Sequence, residues 1–157
     1  MKHILFGVTW RKLLLAVLLS AASAVTGSAQ ELQRINPDGM TQSTTYSHVV
    51  RAGNQLFLAG QVAVDGDGNL VGPGNMRAQV RQVLQNMSAV LASQGADFSD
   101  VAKITIFTVD IEAFRGSAEV REEFFGGHPP ASTLVQVVRL ARPEFLVEIE
   151  AVAILQR

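Results

Sequence analysis

The segment Leu146-Val147-Glu148-Ile149-Glu150-Ala151-Val152-Ala153 sets two acids into an otherwise apolar run. Its period of two, continued from Phe145 to Leu155, predicts a β-strand rather than a helix. Period two puts both carboxylates on one face, about 7 Å apart. A charge on such a strand is costly unless it is paired or hydrogen-bonded. Two readings stay open. The acids can form interface ion pairs, for example with Arg139 on the preceding strand. Alternatively, one of them positions a water or a ligand proton.

Working back from this strand, Arg142-Pro143 predicts a turn and Thr133 to Leu140 another strand. Gly126-Gly127 and His128-Pro129-Pro130 form a stop and a rigid loop. Asp110 can cap a helix whose stripe is Phe114, Ala118, Arg121 and Phe125. Val101 to Val109 alternates as a strand. Met76, Val80, Val83, Leu84, Met87, Val90 and Leu91 make one helical stripe, with Asn75 as N-cap and Gly95 as C-cap. Tyr46 to Arg51 and Gln55 to Val64 read as strands joined by Ala52-Gly53-Asn54. Gln30 to Thr45 is polar and reads as a lead-in arm. The order is β-β-α-β-α-β-β, an α+β domain of one mixed sheet. Two helices on one face leave the other face bare, and that face is expected to meet another subunit.

Residues 1–29 read as an address. Lys2, Arg11 and Lys12 precede an apolar run, Leu13 to Val25, of 13 residues, and small residues lead to Gly27-Ser28-Ala29. This is the pattern of a cleaved secretory signal peptide, with Ala24 a second cleavage point. A membrane span needs about 20 apolar residues, so no stable anchor is expected. The domain is then 30–157, and the protein is exported: periplasmic where the source has an outer membrane, otherwise secreted.

The whole chain has 157 residues and a formal charge of −1; residues 30–157 keep ten basic residues against fourteen acids, a charge of −4. That balance disfavours a nucleic-acid partner and a nuclease activity. The absence of cysteine removes disulfides, thiol nucleophiles and thiolate zinc sites. His48 and His128 are the histidines that remain after residue 29, a weak metal set, and no metal is expected. Asp65, Asp67 and Asn69 have calcium-loop spacing, but Leu70 and Met76 stand where the glycine and glutamate are needed, so a hairpin turn is expected. Gly72-Pro73-Gly74 lacks the Lys-Ser/Thr of a phosphate loop, and no Gly-x-Ser-x-Gly elbow occurs. With Trp10 in the leader and Tyr46 the one tyrosine, a sugar platform for glycoside hydrolysis is hard to build.

The strand 146–153 resembles the C-terminal signature of the Rid superfamily, the reactive intermediate deaminases or YjgF proteins. Tyr46-Ser47, Phe57 to Val62, Gln79 to Ala92, Lys103 to Phe107 with Asp110, and Pro130-Ala131 with Val137 to Leu140 resemble further motifs, in order. The resemblance implies a Rid/chorismate-mutase-like domain, a homotrimer with small-molecule clefts between subunits, and cofactor-free hydrolysis of imino or enamino acids. It also implies that Glu148 positions the attacking water and that Tyr46 lines the cleft. Ser132 stands where archetypal members carry a carboxylate-gripping arginine. Thr133, Ala59, Gly60 and Ala118 fall at other cleft positions, and Ala59 and Ala118 replace the usual serine and asparagine. A neutral hydroxyl does not substitute for a bidentate arginine. The expectation is an imine- or enamine-hydrolysing protein with an altered substrate, Ser132 and Thr133 orienting it and Arg139 or Arg142 as conceivable replacement charges. The alternative is a non-catalytic exported trimer that binds a small metabolite.

Overall fold

The computed structural model describes residues 30–156, so the predicted leader lies outside the described residues. Strands β1 (Leu32–Ile35), β2 (Val49–Ala52), β3 (Gln55–Gln61), β4 (Val101–Thr108), β5 (Ala131–Gln136) and β6 (Val147–Ile154) form one six-stranded sheet. Its order is β1-β2-β3-β6-β4-β5, antiparallel except for the parallel pair β4–β5. The helices are α1 (Met76–Ser93), α2 (Ile111–Arg115) and α3 (Ala118–Phe125), with a 3₁₀ turn at Phe98–Asp100. The β4–β5 crossover runs through α2 and α3, because a parallel pair cannot be closed by a hairpin.

All seven apolar positions of the predicted first stripe are buried on α1. They pack on Leu56, Leu58, Ile104, Ile106, Val147, Ile149, Ala151 and Ala153, the inward residues of β3, β4 and β6. Each such side chain contributes about 1.5–3 kcal/mol by leaving water. The Asn75 side chain accepts from the Ala78 N–H and caps the helix as predicted. At the other end Gln94 is the C-cap, and Gly95 follows it at φ 66°, in the left-handed region that releases the chain. The opposite sheet face is open and carries Phe57, Ile154, Val152, Glu148 and Glu150, so one face is bare as expected.

Several expectations are corrected. The lead-in arm contains β1, which pairs with β2 as an edge strand. An edge strand with mostly exposed side chains carries no burial alternation, so its sequence was silent. The second helix is two helices. Gly116 and Ser117 break the phase, so Phe114 and Phe125 reach the core while Ala118 is exposed and Arg121 half-buried. The last two strands do not pair. β6 sits between β3 and β4, and β5 ends at Gln136. Arg139 is therefore an exposed loop residue rather than a strand residue, and among the described residues of one chain no ion pair joins it to Glu148 or Glu150. The predicted turn at 65–69 is present. The Asp65 carboxylate accepts from the N–H groups of Asp67 and Asn69, spending its oxygens on the turn itself.

Candidate functional site

β3 and β6 do not stay in simple register. Leu58 faces Ala151 and Gln61 faces Ile149, so β3 inserts one extra residue at Ala59-Gly60. Such a bulge bends the strand and re-aims its neighbours. The Glu148 carboxyl lies over this bulge. A Cβ built on Gly60 would collide with Glu148 Oε1 and stand 2.8 Å from its carboxyl carbon. Gly60 has no positive φ, so space rather than backbone conformation requires glycine here.

Glu148 is half-buried, whereas Glu150, two residues on, is exposed. Burial, reinforced by the Glu150 carboxylate, raises the Glu148 carboxyl above its ordinary value. Among the described residues no protein group hydrogen-bonds that carboxyl. It opens into a cleft of about 430 Å³ shared with Thr41, Tyr46, Ala59, Gly60, Arg142 and Phe145. A proton-exchanging group in a cleft, unspent on the protein, is available to a ligand or a water.

Tyr46 precedes β2 and is half exposed. Its ring meets His48 edge-on, centroids 5.5 Å apart. His48, read from the sequence as a strand residue, is a buried residue just before β2. Its Nε2 lies 2.7 Å from the Thr41 carbonyl, which can only accept, so Nε2 carries the proton. Nδ1 then faces the Gln61 amide at 3.5 Å, and that amide also donates to the Ala59 carbonyl. Thus a buried network fixes both the tyrosine loop and the bulge. The cleft's far rim is fixed by Gln79, fully buried on α1. Its amide donates to the Gly72 and Glu144 carbonyls and accepts from the Leu146 N–H. A glutamine on an apolar helical stripe is the signal that sequence reading passed over.

Of the two replacement charges considered, Arg142 lines the Glu148 cleft and Arg139 does not. Arg142 stacks on Phe145 at 4.3 Å and lies 3.5 Å from Glu144. The remaining sequence-predicted positions lie elsewhere. Ser132 and Ala118 line a second cleft with Ile104, Arg121, Phe125 and Pro130, on the helix side of the β5 edge. Thr133 pairs with Thr105 and, by strand alternation, points to the opposite face from Ser132. The structure therefore divides the predicted residues: Tyr46, Ala59, Gly60 and Glu148 in one cleft, Ala118 and Ser132 in another.

A family profile described as Endoribonuclease L-PSP matches residues 38–155. A RutC family protein of Pyrococcus horikoshii is 41% identical over 108 residues, which cover 69% of this chain and 85% of that protein. The mouse 2-iminobutanoate/2-iminopropanoate deaminase is 33% identical over 109 residues, covering 69% of this chain and 80% of the deaminase. Among solved structures, the YjgF gene product of E. coli superposes with a TM-score of 0.71 at 31% identity, covering 80% of this chain and 99% of that one.

Proposed function

The chain belongs to the family described as Endoribonuclease L-PSP, the Rid or YjgF superfamily, and from that premise we propose that it hydrolyses an imine- or enamine-type metabolite. One observation carries the reading: the Glu148 carboxyl is half-buried, raised in pKa, and held over Gly60 in an open cleft with no protein partner among the described residues. The mouse relative named as an iminobutanoate/iminopropanoate deaminase supports the reaction class.

The chemistry needs one group that takes and returns a proton. Ionised Glu148 accepts a proton from water as the water oxygen bonds to the imine carbon. The substrate is the protonated imine, so the C=N electron pair moves to nitrogen and gives a neutral carbinolamine. Glu148 then returns its proton to nitrogen as the C–N bond breaks, and the hydroxyl proton passes to solvent as C=O forms. Water supplies the oxygen, and ammonia leaves. A carboxyl with a raised pKa suits both directions of this exchange. Tyr46 forms an aromatic wall beside the bulge.

The substrate is altered relative to archetypal members, because Ser132 offers a hydroxyl where they carry arginine. The same substitution favours a second reading, a trimer that holds a metabolite without converting it. In either case the bare face bearing Phe57, Val152 and Ile154 supports association with further copies. The test is ammonia release by the 30–157 protein from imino acids generated in situ. Turnover lost in Glu148→Gln with folding intact is expected. Unchanged turnover in that variant removes Glu148 from the mechanism. Recovery of an unaltered stoichiometric ligand without turnover favours binding.

A further inference from the structure

Two buried side chains that take no part in the proton exchange lie directly behind the bulge of β3. Gln61 is 3% exposed and His48 is 4% exposed. Between them they hold Ala59, the first residue of the bulge, by both of its peptide groups. The Ala59 N–H donates to the His48 carbonyl at 3.0 Å. The Ala59 carbonyl accepts from the Gln61 amide at 2.9 Å. That carbonyl belongs to the peptide joining Ala59 to Gly60, the residue beneath Glu148. A peptide unit is planar, so fixing its carbonyl also fixes the Cα of Gly60, over which the carboxyl lies.

The pattern of the strand shows what this clasp works against. Leu56 and Leu58 face the core, and Phe57 faces the open side. Unbroken alternation would turn Gly60 to the core and Gln61 to the open side. The extra residue reverses both, so Gly60 lies against Glu148 and Gln61 is buried. A strand that regained its alternation would carry the glycine away from the carboxyl. Packing alone does not aim the Gln61 amide, because a cavity of about 40 Å³ adjoins it, lined also by His48, Tyr46 and Asn86. Hydrogen bonds aim it instead. His48 donates from Nε2 to the Thr41 carbonyl at 2.7 Å, so in the neutral ring Nδ1 accepts, and it faces the Gln61 amide nitrogen at 3.5 Å. The amide nitrogen thus stands between two acceptors, a place the amide oxygen cannot take. His48 is itself anchored, its N–H donating to Asn36 Oδ1 at 2.9 Å.

We propose that Gln61 is a positioning residue for Glu148, clasping the bulge so that Gly60 stays beneath the carboxyl, and that His48 orients the clasp. The inference deepens the proposed hydrolysis and rests on that reading for turnover only. The placement of the carboxyl is independent of it.

The experiment compares Q61M, H48N and H48Q with wild type in the 30–157 protein. One readout is ammonia release from imino acids generated in situ. The other is a carbon-13 NMR titration of the Glu148 carboxyl carbon, assigned by its absence from E148Q. Methionine keeps the length of Gln61 and removes the donor. In Q61M, kcat should fall about tenfold or more with KM little changed, because the group that has moved acts in the transition state. A carboxyl released from the bulge is less buried, so its titration midpoint should fall toward about 4.3. Asparagine carries an acceptor where Nδ1 stands, and glutamine a donor where Nε2 stands. H48N should therefore retain most of the kcat that H48Q loses, a contrast that stands even if Q61M fails to fold. Wild-type kcat and midpoint in Q61M overturn the proposal. A slower Q61M with an unmoved midpoint also overturns it, because the carboxyl has then not been displaced. An impaired H48N beside an intact H48Q does the same, giving the role to the Thr41 contact. A midpoint that moves in Q61M when wild type releases no ammonia sinks hydrolysis and leaves the positioning. Glu148-dependent turnover that Q61M leaves unchanged, midpoint included, sinks the positioning and leaves hydrolysis.

Discussion

Replacing Gly60 by alanine separates positioning from folding. The new Cβ would lie 2.8 Å from the carboxyl carbon of Glu148 and 2.9 Å from its Cγ. Ordinary carbon–carbon contact begins near 3.5 Å, so the carboxyl end must retreat by roughly 0.7 Å or more. The atoms that yield are the end of a flexible side chain, and the backbone at Gly60 is not in the left-handed region. Loss of glycine's freedom in the unfolded chain stabilises by about 0.4–1 kcal/mol. A displaced rotamer at Glu148 costs about 0.5–1.5 kcal/mol. The two nearly offset, so stability should stay within about 1 kcal/mol of wild type. For a domain of this size, an unfolding entropy of about 2.1 cal/mol/K per residue turns that into a melting shift of no more than about 4 °C. Activity should respond differently. A misplacement approaching an ångström costs on the order of 10²-fold in rate. The assays are a thermal melt and ammonia release, with G60A, E148Q and the double variant. The double variant should be no slower than E148Q alone, because both changes act through one carboxyl. Full turnover in G60A refutes the positioning argument. A loss of more than about 3 kcal/mol shows that the backbone, not the side chain, had to move.

Burial and Glu150 raise the folded-state pKa of Glu148, so the folded protein holds that proton more tightly than the unfolded chain, whose value is about 4.3. Stability from this group is therefore greatest below the unfolded pKa and falls as pH rises through the folded one. Urea melts between acid and neutral pH should show that fall in wild type and lack it in E148Q; identical slopes contradict the shift. The variant E150Q removes the like charge, so the Glu148-dependent limb of the rate profile should move to lower pH, and a fixed limb counts against the coupling. In Q79L three backbone groups lose a buried partner, at about 1–3 kcal/mol for each left unsatisfied. Chemical denaturation should register a loss of roughly 3 kcal/mol or more, and a loss below about 1 kcal/mol means that the loops resolvate without penalty. The charge introduced by F57E falls on the open sheet face, and sedimentation should find smaller assemblies than wild type; an unchanged mass places the contact elsewhere.

The elements that were legible in the sequence are those whose burial imposes a period. The α1 stripe and the β6 alternation each leave a written pattern because one side meets the core and the other meets water. The same logic put Glu148 and Glu150 on one face before any geometry was known. What escaped has no such period. β1 is an exposed edge, and the kink at Gly116-Ser117 is a local break inside a stripe that continues in apparent phase. The insertion of β6 between β3 and β4 is topology, which neighbouring residues do not encode. Within one chain that insertion puts β4 between the acids' strand and β5, the strand that leads to Arg139.

The same division governs the site. Position 132 could be recognised as lacking arginine from order along the chain alone. Whether a cation is nevertheless present depends on which surfaces meet there. Arg121 reads in the sequence as the polar member of a helical stripe. Its surroundings are facts of packing: the Phe114 ring 4.5 Å from the guanidinium, and a cleft shared with Ser132. None of these is a neighbour relation in sequence. Glu148 is similar in kind. Its period was readable, but its freedom from partners comes from a bulge that leaves glycine beneath it. At Glu148 the chemistry resides in a charge that the fold declines to pair, and pairing is decided by contacts between segments far apart in the chain.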